Sequence, residues 1–589
     1  MQNAFRKKLI LIIIFLISLT ILTQAQSANY FRTQVLRDQF RWFWVGELKF
    51  SSRFLRQSDF HFRDVYTSDL LSASDEENKW KDDNNLAMDW FHPISTKLFT
   101  RTILTSQIFS DENTQTEFHK NIIAQEFSFQ FHPKVKFKPA LGWTIEEVFG
   151  TQDQGWYSQV DLALNKLDIG GYINTTDFNS VIKGFPGRKN QAHSIYTGWQ
   201  KEFSNVANDS LWLGYQFSEK RYYLIGGINQ EQVIINDRFI NNLLNYRTTS
   251  NSRFSLLTSF KNRDIDQSNP DFNNRRKEIL FSNQFDYRVL KEPLSAFFGM
   301  MFSQIINDNP GIQTDIDALQ SALTGRVVFR PTSKDIFHGR ITYSKFEYDT
   351  PDENNVDDRD EQRYIMDGSY QHIFSPFFSL RVTGKLYLYH QIFINALRSG
   401  NNNWNRIYQL ALNSSHKIGE SFQHRNQLKI LANYTVFDFD EILPQTRSFI
   451  FRRLAYTDTL TFRLTKEMFF NTVFQWESED NGTFFKQKFA QQINNRLSAY
   501  FVNFSLYHTN IHGFELYTGI HFFWRDEWNY VREERKIREF RDISPRITLI
   551  YSGNSRLTLF ATYAPHQTTN FGTDRLFFTT ARLNIQYFL

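Results

Sequence analysis

Phe577-Phe578-Thr579-Thr580-Ala581-Arg582-Leu583-Asn584-Ile585-Gln586-Tyr587-Phe588-Leu589 ends the chain and decides how the rest is read. The odd positions are Phe577, Thr579, Ala581, Leu583, Ile585, Tyr587 and Leu589. The even positions include Thr580, Arg582, Asn584 and Gln586, with Phe578 and Phe588 as exceptions near the two ends. A period of two held this long is a strand with one mainly apolar and one mainly polar face. Upstream, Leu557, Leu559, Ala561 and Tyr563 alternate with Arg556, Thr558, Phe560 and Thr562. Ile547, Leu549 and Tyr551 alternate with Arg546, Thr548 and Ile550, and Ser552-Gly553-Asn554-Ser555 between the two has tight-turn chemistry.

The same design recurs far from the C-terminus. Phe378, Leu380, Val382, Leu386 and Leu388 oppose Ser379, Arg381, Thr383, Lys385, Tyr387 and Tyr389. Leu428, Ile430, Ala432, Tyr434 and Val436 oppose Gln427, Lys429, Asn433 and Thr435, with Leu431 the apolar intruder. Such strands exceed the usual sandwich strand of about 5–6 residues and match the roughly 9–11 needed to cross a bilayer at a tilt. Connections alternate in length. Phe91-His92-Pro93, Phe131-His132-Pro133, Arg330 to Asp335, Ser375-Pro376 and Lys417 to Ser421 are short. Ser72 to Asn85, Asp264 to Arg276, Asp308 to Gln320, Asp349 to Glu361, Arg398 to Asn405 and Arg525 to Arg541 are long and polar.

Short periplasmic turns and long outer loops are how transmembrane barrels are built, and lipid forces the sheet to close. The expected fold is therefore all-β, a single large antiparallel transmembrane β-barrel of about 22–26 strands, with 26 the best count. Leu211 to Tyr246 is the weakest part of that count.

The ends and the composition agree. Arg6, Lys7 and Lys8 precede the largely apolar Leu9–Leu22, and Thr23-Gln24-Ala25 supplies small residues where a signal peptidase cuts. As a helix that apolar run rises only about 21 Å, short of a hydrocarbon core of about 30 Å. The expected organisation is a signal peptide over 1–25, an N-terminal periplasmic segment over 26–40 and the barrel over 41–589. With no cysteine, the chain is neither acylated as a lipoprotein nor stapled by disulfides. Mean hydropathy is −0.47, and no later apolar run is long enough for a membrane helix. Aromatic residues make up 17% of the chain against only 25 Gly and 13 Pro, as suits a wall that shows rings to lipid. The charge of +5 is spread along the chain, which gives nucleic-acid binding no support.

The final heptad, Leu583 to Leu589, resembles the C-terminal assembly signal of Gram-negative outer-membrane β-barrels. Leu583, Ile585 and Tyr587 fall where that signal wants apolar residues, whereas Leu589 replaces its usual terminal aromatic and Phe588 sits one place early. The resemblance implies an outer-membrane location among lipid and lipopolysaccharide. It also implies delivery by periplasmic chaperones and insertion by the barrel-assembly machinery. Neither a siderophore-transporter plug nor an N-terminal jelly roll is apparent, since strands begin by about Arg41.

A wall of this size encloses water unless something fills it. Porin-like, passive or loosely selective passage of small polar or anionic solutes is the leading functional expectation. Basic residues on polar faces include Arg326, Arg330, Arg340, Arg381, Lys385, Lys429, Arg546, Arg556 and Arg582. Of these, Arg326, Arg340, Arg381 and Lys385 come from three of four successive strands and are the best candidates for an anion-favouring patch. Carboxylates on neighbouring strands are the competing account. Tyr387 and Tyr389 offer a surface for stacking a sugar, or simply fill space. The acidic loop Asp349–Glu361 lacks the EF-hand order, and solvated carboxylates outweigh a metal site there. The mixed charges of Arg525–Arg541 read as a self-paired cluster, with a short helical hairpin tip or a contact for glycolipid phosphates as alternatives. No cofactor, metal or catalytic group is expected. A hydrolase would need groupings such as His338 with Ser344, or His521 with Glu515 and Asp526, which fourteen histidines produce by chance. A secretion or surface-assembly pore, or a closed binding scaffold, is the remaining alternative.

Overall fold

The computed structural model describes residues 29–54, 58–72, 78–224, 229–269, 272–310, 315–352, 355–442, 448–552, 556–570 and 575–589. The expected signal peptide, and most of the turn at Ser552–Ser555, lie outside these residues. The chain forms 28 strands, β1 to β28 in chain order, each antiparallel to the next. The ring closes where β1 (Tyr30–Arg37) pairs with β28 (Leu576–Phe588), with Val35 opposite Leu583 and Thr33 opposite Ile585. Leu583, Ile585 and Tyr587, the apolar residues of the expected assembly signal, therefore sit on the closing strand. Their other neighbours are Ala561, Leu559 and Leu557 of β27 (Leu557–Asn570).

The count exceeds 26, and β1 is one reason. It lies inside the 26–40 stretch that the sequence reading set before the barrel. With eight residues, among them Arg32, Gln34 and Arg37, it shows little alternation, and it is a strand because both its edges are paired.

The alternation sorts faces as expected. On β17 (Asp335–Asp349) the outward side reads Asp335, Phe337, Gly339, Ile341, Tyr343, Lys345, Glu347, an apolar stretch bounded by charges. The inward side reads His338, Arg340, Thr342 and Ser344. Ring pairs mark both edges of the outward band: Phe337 stacks on Tyr370 at 4.5 Å and Tyr343 packs on Tyr364 at 4.9 Å. Those levels are six residues apart along β17, about 20 Å, close to the apolar band of such barrels.

Connections at the end holding Phe588 run from two residues (133–134, 376–377, 512–513) to five (330–334). His512 and Gly513 have φ of 54° and 85°, the paired positive angles of a type I′ hairpin turn. Every segment expected to be a short connection falls at this end, and every long one at the other. Two of the long ones, Asp264–Arg276 and Arg525–Arg541, are mostly strand, however. β13 (Ser252–Asn269) and β14 (Phe272–Lys291) consume all but 270–271 of the expected Asp264–Arg276 loop. The connection 438–448 is the longest at that end. Outside the membrane, a strand keeps its ladder while both faces turn polar. Its period-two apolar mark is lost there, and sequence alone assigns it to loop.

Twenty-eight strands spaced about 4.8 Å apart and tilted about 40° give a wall roughly 175 Å around, or about 55 Å across for a circular section. Substantial packing among the described residues is confined to sheet neighbours.

Ile341 is 58% exposed on the outward face, whereas inward Thr342 meets Thr324 across the pair. Ile341→Arg should cost about 2–4 kcal/mol in denaturant unfolding from phospholipid vesicles, and Thr342→Arg less than about 1. Equal losses would contradict the assigned faces.

Candidate functional site in the barrel lumen

The strand register builds one inward row from β16 (Ile316–Phe329) to β20 (Asn403–Ile418). Arg326 lies opposite Arg340, Arg340 opposite Asp367 of β18 (Arg359–Ser375), Asp367 opposite Lys385 of β19 (Phe378–Phe393), and Lys385 opposite Gln409. Three of the four favoured basic residues thus share a row. Arg381 stands two inward steps from Lys385, beyond Thr383, and donates from Nε to Gln371 Oε1 at 3.1 Å.

Like charges directly opposite one another are unfavourable, and here a carboxylate intervenes. Arg340 Nε lies 2.5 Å from Asp367 Oδ2. The Arg326 guanidinium lies 5.9 Å from the centre of the Phe297 ring. The row holds three cations and one carboxylate. Directly behind it, Gly325, Gly339, Gly368 and Gly384 face outward and leave an apolar depression of about 970 Å³ in the outer wall. At Gly339, Gly368 and Gly384 little more than backbone separates the membrane side from the charged row.

Neutralising carboxylates across the ladder account for Arg340 alone among the favoured four. Among the described residues, Arg326, Arg381, Lys385, Lys429, Arg546 and Arg582 make no ion pair, whereas other walls are closely paired. In the turn between β9 (Tyr172–Gly184) and β10 (Lys189–Ser204), Arg188 is only 2% exposed at its side chain. It holds Glu146 at 2.9 Å and Asp153 at 2.5 Å, and Lys183 reaches Glu146 at 2.7 Å. Sequence reading missed this cluster, because its partners lie 35 and 42 positions from Arg188.

Tyr387 and Tyr389 do point inward, with centroids 6.4 Å apart and planes within 17°. Tyr389 belongs to a charged cluster: Arg363 lies over its ring at 5.3 Å, and Glu361 binds Arg363 and Arg359 at 2.6 and 3.0 Å. Two carboxylates of the acidic loop have protein partners. Asp358 accepts from the Thr350 amide and hydroxyl, and Asp357 pairs with Arg398 at 2.7 Å. In place of a helical tip, Arg525–Arg541 forms a β-hairpin whose charges pair among themselves, Arg541 with Asp526 at 2.7 Å and Lys536 with Glu539 at 2.8 Å.

The hydrolase groupings do not assemble. His338 and Ser344 are six residues apart on one strand, about 20 Å. Asp526 faces outward, and Glu515 accepts from Tyr507 at 2.8 Å. His521 instead meets Asp542 at 3.0 Å and shares it with His566.

No protein-family model matches the chain, and no curated protein matches it. Similar solved structures are outer-membrane barrels. The siderophore receptor PirA from Pseudomonas aeruginosa is 6% identical, with 92% of this chain and 86% of that one covered and a TM-score of 0.38. The FrpB iron transporter from Neisseria meningitidis is 8% identical over 77% and 82%, with a TM-score of 0.39. The outer-membrane transporter YddB from Escherichia coli is 10% identical over 88% and 84%, with a TM-score of 0.37. At these values no solute or partner carries over to this chain.

Asp367→Asn removes the row's one carboxylate. In planar bilayers it should shift the zero-current potential toward stronger anion preference at about 0.1 M salt, where charges act over about 10 Å, and much less at 1 M, where they act over about 3 Å. A shift toward cations would contradict the assigned row.

Proposed function

We propose that this barrel is an outer-membrane channel, passing small polar or anionic solutes with loose selectivity. One observation carries the reading: a closed 28-stranded wall whose inward face holds unpaired cations, Arg326, Arg381 and Lys385 among them. The described residues are consumed by strands and connections, and none of them forms a plug. A lumen of this width stays wet, because side chains lining the wall do not reach its axis. In such a space a few fixed cations bias the local ion population without binding any solute tightly. The assembly signal and the export segment support delivery through the periplasm to the barrel-assembly machinery, and residence among outer-membrane lipids and lipopolysaccharide.

The width also favours a second reading, passage of a larger cargo in secretion or surface assembly. Single-channel recording combined with vesicle swelling in sugars of graded size separates the two. The channel reading expects steady conductance, with swelling for small sugars. The joint variant Arg326→Ala, Arg381→Ala and Lys385→Ala should lower anion preference while conductance persists. An electrically silent, correctly folded barrel would overturn the proposal, and passage of large dextrans would favour the cargo pore.

A further inference from the structure

The lumen wall near the seam carries a second constellation, independent of whether the lumen conducts. His521 lies on β25 (Phe514–Asn529), Asp542 on β26 (Arg535–Tyr551) and His566 on β27. Their side chains are only 13%, 11% and 12% exposed. His521 Nε2 lies 3.0 Å from Asp542 Oδ2, and His566 Nδ1 lies 3.1 Å from the same oxygen and 3.2 Å from Oδ1. The ligand-capable atoms of the three residues all fall within 4.8 Å of one another, the only such grouping among the described residues.

Hydrogen positions around His566 sharpen the point. Thr580 Oγ1 donates to the Ala564 carbonyl at 3.3 Å, so its oxygen is left to accept from His566 Nε2–H at 3.1 Å. With that nitrogen protonated, a neutral His566 turns its Nδ1 lone pair toward the Asp542 carboxylate. Lone pair then faces lone pair unless a cation lies between them: a second proton on the ring, or a metal ion. Asp542 has no lysine or arginine partner among the described residues. Aromatic rings pack against both imidazoles, while Asn503 and Ser544 lie opposite His521 and Thr568 lies opposite Asp542 in the strand register. His566 stacks on Phe578 at 4.6 Å within 3° of parallel, His521 lies 5.6 Å from Phe501, and Ala564 is buried.

We propose that His521, Asp542 and His566 bind one divalent transition-metal ion, of the Zn²⁺, Cu²⁺, Ni²⁺ or Fe²⁺ class, with an open position toward the lumen. Two imidazole nitrogens and one carboxylate oxygen suit these borderline ions, while Mg²⁺ and Ca²⁺ favour all-oxygen sets. Metal–ligand bonds of about 2.0–2.2 Å in a tetrahedral site put ligand atoms about 3.3 Å apart, so the two His–Asp contacts need open by only a few tenths of an ångström. Thr580 is the outer partner that fixes the His566 tautomer. Three protein ligands leave a fourth position for water or for a passing solute with a donor atom.

The test uses the refolded, tag-free, chelator-treated full barrel and Zn²⁺ alone. Calorimetry should show one saturable equivalent per chain. His521→Ala and His566→Ala should each weaken that binding at least about 100-fold, and Thr580→Val should weaken it about 10–100-fold. Heat-dependent gel mobility verifies that each variant is folded. Should a variant misfold, the wild type decides: Zn²⁺ should protect His521 and His566, by peptide mapping, from diethylpyrocarbonate. Absence of stoichiometric binding, binding unchanged in the folded histidine variants, or no protection of those two rings would overturn the site and leave a protonated His566 as the cation facing Asp542.

Discussion

A backbone amide or carbonyl left without a partner in hydrocarbon costs several kcal/mol, and a sheet has two edges full of them. This structure meets that constraint in the pairing of Tyr30–Arg37 with Ala581–Phe588, which joins the first strand to the last. Outward Val35 and Leu583, the alternation of later strands where they cross the membrane and the apolar band between two levels of paired rings all depend on that closure. The shortest strand, β1, meets β28 at the seam.

Closure at 28 strands also governs what the lumen can do. A narrow barrel fills itself with its own side chains, whereas a wide one leaves charges facing water. The inward residues answer in two ways. Around Arg188, Glu146, Asp153 and Lys183 the charges neutralise one another and are almost buried, which stiffens the mouth of the wall. Along the Arg326–Arg340–Asp367–Lys385 row the cations outnumber the carboxylate. The seam-side wall is of a third kind, where two imidazoles converge on one carboxylate against Phe501 and Phe578.

Much of this was legible in the residues. Alternation from Phe378 to Leu388 and from Phe577 to Leu589 identified strands and faces, because one side of each meets lipid and the other water. The grouping of Arg326, Arg340 and Lys385 followed from face and strand order, but Asp367 between them did not, because register between strands is not written in either strand alone. The same limit hid the third site: Asp542 lies 21 positions from His521 and 24 from His566, and only the register of three strands brings them together. The hairpin arms flanking 270–271 and 530–534 were read as loop because polar residues cover both faces beyond the membrane, where the ladder survives and the apolar rhythm does not.

Closure can be measured directly, because the native chain has no cysteine. Val35→Cys combined with Leu583→Cys places thiols directly opposite across the seam, and Ala561→Cys with Leu583→Cys does so across β27–β28. With a short cross-linker carrying two thiol-reactive methanethiosulfonate groups on folded protein in native-like membranes, the closed barrel predicts that both pairs cross-link efficiently within one chain. An open or stacked sheet predicts that the β27–β28 pair links while the Val35–Leu583 pair does not, and that result would contradict the account.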